Sequence, residues 1–257
     1  MGTVLLGTSG WDYPEWVGPF YPSRGAADKL RFYSSRYSIV EVNSTFYRLP
    51  PPSVAASWAR RTPARFRFAA KFPKTITHEL RLEHTEGELD RFLEVLEPLR
   101  AAGKFVAALL QLPPSLPFRA GTVRSFYESL PEGLPVAVEF REPSWLVPES
   151  YALLREFGLA NVIVDGPHLP IVLEVTAPFS YVRWHGHGAQ VWYDYTYSAA
   201  ELAAWVPRVR ALEQGTEAVY GFFNNHFRGD AATNCRSLAE ELGIPPPPSL
   251  SRGTLDA

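Results

Sequence analysis

Eight short runs of β-branched, aliphatic and aromatic residues recur along the chain, at 4–10, 39–44, 67–73, 106–113, 136–142, 161–165, 181–186 and 219–225. Between most of them lie segments with apolar residues at i, i+3, i+4 and i+7, the mark of an amphipathic helix: 26–37, 53–61, 88–103, 122–130, 149–158, 198–212 and 231–243. Gly103, Gly158 and Gly243 close three of these, where a left-handed residue stops a helix. Strands separated by helices pair in parallel, because each crossover carries the chain back to the end it left. Eight such units in 257 residues are what one closed (β/α)8 TIM barrel requires. The sequence therefore predicts a single α/β domain over residues 1–250 and a short tail, 251–257. The sixth unit is degenerate, since residues 166–179 (GPHLPIVLEVTAPF) show no helical period.

A barrel gives the alternation within each strand a meaning, because side chains point by turns into the interior and toward the helices. If Val40 and Val42 face the helices, Glu41 and Asn43 point inward. Phe66, Phe68 and Ala70 outward leave Arg67 and Lys71 inward; Val136, Val138 and Phe140 outward leave Glu139 and Arg141 inward. Val182 and Trp184 outward leave Arg183 and His185 inward, and Gln111 and Asn224 extend the series. Asp165 adds a carboxylate at the end of the sixth run. These groups gather near the C-terminal ends of the strands, where TIM-barrel active sites are built. The expectation is a polar ring at one mouth, with Lys71 and Glu139 sharing an interior layer.

The motifs GTSGWDYPEWVGPFYP, EVNSTFYRLP, FAAKFPKTITH, LLQLPPS, VEFREPSW, RWHG and FFNNHFRGDAATN occur in this order over roughly residues 5–243. Together they resemble the YecE-like family, a group named for a domain of unknown function. The resemblance implies a TIM barrel, similar in overall shape to the endonuclease IV and sugar-isomerase barrels. It brings no established activity with it, so the chemistry has to be read from the residues.

Glu41, Glu139 and Asp165 balance Lys71, Arg141 and Arg183 in the expected ring, with His185 able to titrate near neutrality. One outcome is a closed ion-pair network that only seals the barrel end. Buried ion pairs are poor stabilisers, so six charges kept in one place point to a use. Only four of 25 basic residues are lysines, which sets Lys71 and Lys74 apart. Lys71, Lys74, Arg141 and Arg183 converging on a mouth suit a phosphate or carboxylate. Trp11, Tyr13, Trp16, Phe46, Tyr47, Trp145, Trp192, Tyr193, Tyr195 and Tyr197 supply an aromatic rim able to stack on a base or sugar. Asn224, Asn225 and Asn234, with Gly229 between them, lead into the last helix, near where TIM barrels hold phosphate.

The sequence reading is thus an enzyme, of hydrolase type, acting at this mouth on an anionic or phosphorylated substrate, a nucleotide or nucleic acid among the candidates. Glu139 is expected as general acid/base and Glu41 as its electrostatic partner. Lys71 and Arg183 would stabilise negative charge, and His185 would shuttle a proton. The alternative is a non-catalytic nucleic-acid-binding or repair-accessory protein using the same mouth, against which the net charge of −2 counts.

No cofactor is expected. Glu41, Glu139, Asp165, His78 and His185 are acceptable metal ligands, but no multi-histidine spacing supports a metal and the ring cations oppose one. No GxSxG elbow surrounds Ser9, and Cys235 reads as a small buried helix residue. One cysteine excludes an intrachain disulfide and fits a reducing compartment. With no signal-peptide pattern at the start and no long apolar run, a cytoplasmic location without membrane contact is the expectation.

Overall fold

The computed structural model describes residues 2–22 and 28–248, so the expected tail at 251–257 lies outside the described residues, as does the start of the first helical segment. Eight parallel strands close a barrel in sequence order: β1 (Thr3–Ser9), β2 (Ile39–Val42), β3 (Arg67–Lys71), β4 (Phe105–Gln111), β5 (Val136–Glu139), β6 (Ala160–Asp165), β7 (Phe179–Trp184) and β8 (Ala218–Phe223). The helices are α1 (Lys29–Ser34), the single turn α2 (Ser44–Tyr47), α3 (Pro52–Arg61), α4 (Glu86–Ala101), α5 (Ala120–Ser129), α6 (Pro148–Glu156), α7 (Ala199–Gly215) and α8 (Asp230–Glu241). No helix joins β6 to β7, as the missing period foretold. Among the described residues, no helix is long and apolar enough to cross a membrane.

Two apolar layers follow from the alternation. The outward set, including Val40, Val42, Phe68, Val138, Val182 and Trp184, packs against the helices. The inward set is lopsided. Ala69, Ala107, Ala137 and Ala160 line one side, and Tyr181 and Phe222 from β7 and β8 fill the space they leave. Gly7 belongs to the small side: a Cβ there would lie 2.1 Å from the Ile39 carbonyl oxygen, so β1 and β2 approach as they do only without a side chain. Because the interior is filled below, only its C-terminal end is left for polar groups.

The N-terminal end carries a different device. Lys104, buried at the start of β4, donates from Nζ to Ala59 O at 2.6 Å and to Thr62 O at 2.7 Å, with Thr62 Oγ1 at 3.1 Å. These oxygens lie at the C-terminal end of α3, where helix carbonyls lack partners and a cation is favoured. Lys104→Met keeps the stem and removes three donors. It should lower unfolding free energy by about 1–3 kcal/mol in urea titration without altering ligand binding at the opposite end of the barrel.

Candidate functional site

Arg183 is the hub of the C-terminal mouth. β7 points Tyr181, Arg183 and His185 inward by its period of two. Arg183 Nη1 donates to Glu139 Oε2 at 2.6 Å, and Nη2 to Glu41 Oε1 at 2.7 Å with Ser9 Oγ at 3.5 Å. The other Glu41 oxygen accepts from Tyr181 Oη at 2.7 Å. The other Glu139 oxygen pairs with Arg141, whose side chain keeps 12% exposure. Burial alone would raise the Glu139 pKa, but Arg141, Arg183 and His185 together hold it well below the carboxylate range.

His185 is buried between these groups. Arg141 Nη2 lies 2.9 Å from its Nε2, and an arginine can only donate. The neutral ring therefore accepts at Nε2 and carries its proton on Nδ1. Asn224 Nδ2 lies 2.9 Å from Nδ1, and a proton on Nδ1 requires this amide to turn so that its oxygen accepts there. Burial, then Arg141 and Arg183, bring the His185 pKa down to about 3.

Lys71 stands apart from this network. Its Nζ donates to Gln111 Oε1 at 2.7 Å and lies 3.9 Å from the centre of the Phe46 ring. Gln111 is oriented by its own Nε2, which donates to Leu112 O at 2.7 Å. Among the described residues, Lys71 makes no ion pair. The direct Lys71–Glu139 pairing expected from their shared layer does not form, because two guanidinium groups already occupy both Glu139 oxygens. Burial and then Arg183 bring the Lys71 pKa down to about 7, with Glu139 and Glu41 opposing only in part.

Several expected site residues belong elsewhere. Asp165 shares its strand face with Ile163, in the outer layer, while Ala160 and Val162 face the interior. It therefore points to the helices, accepting at Oδ2 from Trp205 Nε1 of α7 and at Oδ1 from His187 Nε2, both at 2.7 Å. Asn225 and Asn234 are buried and bond each other and backbone, with Asn225 Oδ1 left without a hydrogen-bond partner. Asn225 Nδ2 donates to Tyr195 O and Asn234 Oδ1, while Asn234 exchanges two hydrogen bonds with the Tyr197 backbone. Asn234 is the fifth residue of α8, just past its first turn, and so does not lead into the helix as expected. Lys74 is half exposed and paired with Glu79 at 2.9 Å. Trp11 packs edge-on against Trp58 of α3. Trp16 and Trp145 are fully buried, and Arg67 caps Ala64 and Phe66 carbonyls at the far end of its strand.

The rim that remains comes from three loops. Tyr13 donates to Ser9 O and stacks on His226, 4.5 Å between ring centres, with Tyr193 against the same imidazole at 5.2 Å. Tyr195 is tied to Glu201 at the start of α7. Trp192 lies over the Arg141 guanidinium at 5.0 Å and edge-on to His168 at 4.5 Å. Tyr47 is 75% exposed beside Phe46. Asn43, at the end of β2, holds a buried Oδ1 without a hydrogen-bond partner.

Tyr181 and His168 had not been singled out in the sequence. The phase of β7 points to Tyr181, but nothing in the residues 166–179 points to His168. Among the described residues, no three His, Cys, Asp or Glu side chains come together as a metal site.

The profile described as "Protein of unknown function DUF72" matches residues 5–253. The chain is 28% identical over 270 residues to the UPF0759 protein YunF of Bacillus subtilis, covering 94% of this chain and 95% of that one. It is 33% identical over 265 residues to the UPF0759 protein YecE of Escherichia coli, covering 93% and 92%. Its fold is similar to that of a DUF72 family protein from Thermotoga maritima, with TM-score 0.85 and 32% identity over 94% of this chain and 99% of that one. A xylose isomerase domain protein from Alicyclobacillus acidocaldarius shares the fold at TM-score 0.51 and 13% identity, over 94% of this chain and 99% of that one.

The buried hub gives two expected outcomes. Arg183→Met leaves the buried Glu41 without a cation and Glu139 with Arg141 alone, and should lower unfolding free energy by about 3–5 kcal/mol by denaturant titration. His185 has a folded pKa of about 3 against 6.5 for the free side chain, so the unfolded chain binds the extra proton between those values. Stability should fall as pH drops through that window, and His185→Gln should flatten the fall; an unchanged slope would refute the neutral, buried imidazole. Glu139 adds stability that is complete above its free value of 4.5 and is lost progressively as pH falls from there toward its folded pKa, so below about 4.5 it steepens the same fall.

Proposed function

Because the chain belongs to the DUF72 family, whose description assigns no activity, we propose a function from the mouth itself: an enzyme acting on a small substrate that carries a phosphate or carboxylate. The observation that carries this reading is the state of Lys71. It is the mouth cation left without a carboxylate, while Glu41 and Glu139 are shared between Arg183 and Arg141. Two carboxylates face three cations when Lys71 is protonated, so the mouth then has one uncompensated positive charge. An anion restores the balance and favours the charged amine. Arg141 contributes the second contact, since its partly exposed side chain has a buried Nε with no hydrogen-bond partner.

The roles expected of the two glutamates and His185 shift accordingly. Glu139 is held ionised and His185 neutral by their neighbours, Glu41 is committed to Arg183 and Tyr181, and proton exchange near neutrality falls to Lys71. Tyr47, exposed next to Phe46, and Trp192 over Arg141 offer apolar faces to the rest of the substrate. A nucleic-acid partner would need a basic strip beyond the mouth. The exposed bases Lys74 and Arg228 are instead paired with Glu79 and with Asp194 and Asp230.

Sulfate is a suitable probe, because it carries a fixed charge across the range in which Lys71 titrates. Calorimetric titration should show binding that weakens as pH rises through about 7, since the favoured partner is the protonated amine. Lys71→Met should reduce affinity by about tenfold or more, equivalent to at least about 1.4 kcal/mol, and remove the pH dependence. Equal sulfate binding by this variant would sink the proposal.

A further inference from the structure

Each of the four lysines of this chain has a defined setting, and one differs in kind. Lys29 pairs with Asp12, Lys74 pairs with Glu79, and Lys104 is spent on three oxygens at the end of α3. Lys71 faces a neutral amide oxygen and an aromatic ring, at the C-terminal end of a barrel strand. From this arrangement we infer that Lys71 is a covalent nucleophile, forming an imine with a substrate that carries a carbonyl group beside its anionic group, a 2-oxo acid being the simplest case. The inference rests on the anion site above in one respect: Arg141 holds the substrate's charge while its carbonyl carbon meets Lys71 Nζ.

The surroundings fit that chemistry. An imine needs an uncharged amine, and an amine is kept uncharged by dry surroundings and by neighbouring cations. Phe46 covers one side of Nζ, and Arg183 and Arg141 act against its protonation. Glu139 and Glu41 oppose them, but Arg183 and Arg141 neutralise both, and His78 stands on the outer side against Phe46. With its pKa brought down to about 7, the Lys71 amine is free base at neutral pH to an extent roughly a thousandfold above an ordinary lysine. Gln111 Oε1 accepts one N–H and so orients the nitrogen lone pair away from itself. Because Gln111 is itself fixed through Leu112 O, that orientation is set before any substrate arrives.

The step balances without a further reactant. The nitrogen lone pair attacks the carbonyl carbon, and an N–H proton passes to the carbonyl oxygen to give a carbinolamine. The C–O bond then breaks, the oxygen leaves as water with a second proton from nitrogen, and a C=N bond remains. No electrons are exchanged with any acceptor. Hydrolysis of the imine reverses the same steps.

Reductive trapping tests this directly. The full-length protein is incubated with glyoxylate and cyanoborohydride near neutral pH, which converts an imine into a stable carboxymethyl-amine. The expected result is one carboxymethyl group per chain, mapped by peptide mass spectrometry to Lys71, with Lys29, Lys74 and Lys104 unmodified and with sulfate slowing the reaction. Lys71→Arg, which keeps the charge and loses the nucleophile, should still bind sulfate and take up no label. Labelling spread over Lys29 and Lys74 at the same rate as Lys71, or none at Lys71, overturns the inference. Should a variant fail to fold, the mapped position on the unaltered chain decides the question alone. Sulfate titration is scored separately: binding without a Lys71 adduct removes the imine and leaves the anion site, whereas no binding removes the anion site.

Discussion

Arg183 has to be neutralised where water cannot reach it, and the rest of the mouth is arranged around that requirement. The barrel interior below is closed by Tyr181 and Phe222, so a guanidinium at this level has no solvent on the inner side. A buried charge of this kind persists only with good geometry and filled hydrogen bonds. Glu41 and Glu139 meet its two Nη groups from β2 and β5, on different sides of Arg183, while the buried Nε keeps no hydrogen-bond partner. Each glutamate then needs a second donor, which Tyr181 and Arg141 supply. Arg141 in turn fixes the tautomer of His185, and His185 fixes the orientation of Asn224. Four strands, β2, β5, β7 and β8, are tied together by one chain of such demands.

The same network explains why Lys71 is distinctive. Once both carboxylates are committed, a third cation at this level has no opposite charge to meet. It turns to Gln111 and to the face of Phe46, contacts that hold its position without compensating its charge. This is the setting on which the proposed anion site rests, since an anion would supply the charge that the protein does not.

The aromatic loops bear on this site through their anchors. Asn225 and Asn234 hold the backbone of Tyr195 and Tyr197, and Tyr195 is tied to Glu201. Gly188 permits the turn, since a Cβ there would lie 2.1 Å from Val191 O. This fixed loop places Trp192 over Arg141. The asparagines that looked like phosphate ligands thus act one step away, as positioning residues for the rim.

The sequence by itself determined the architecture and the phase of the mouth. Eight strand runs alternate with seven helical periods, and a period of two allows one inward set on each strand, so Glu41, Lys71, Glu139, Arg183 and His185 are placed by periodicity alone. The same rule, applied to Ala160 and Val162, removes Asp165 from the ring, because its face is the one turned to α7. What only the tertiary structure decided was partnership. Which carboxylate meets which cation depends on how eight strands are staggered around the barrel and on lengths of side chains reaching across it, and neither is written in local sequence. Loop residues such as Asn234, His187 and Trp192 lie beyond the reach of strand periodicity altogether, because their directions are set by turns and by distant contacts. Lys71 was visible as an inward lysine from the start. Its lack of a carboxylate partner, on which the chemistry proposed for it depends, arises only when Arg141 and Arg183 arrive at Glu139 from two different strands.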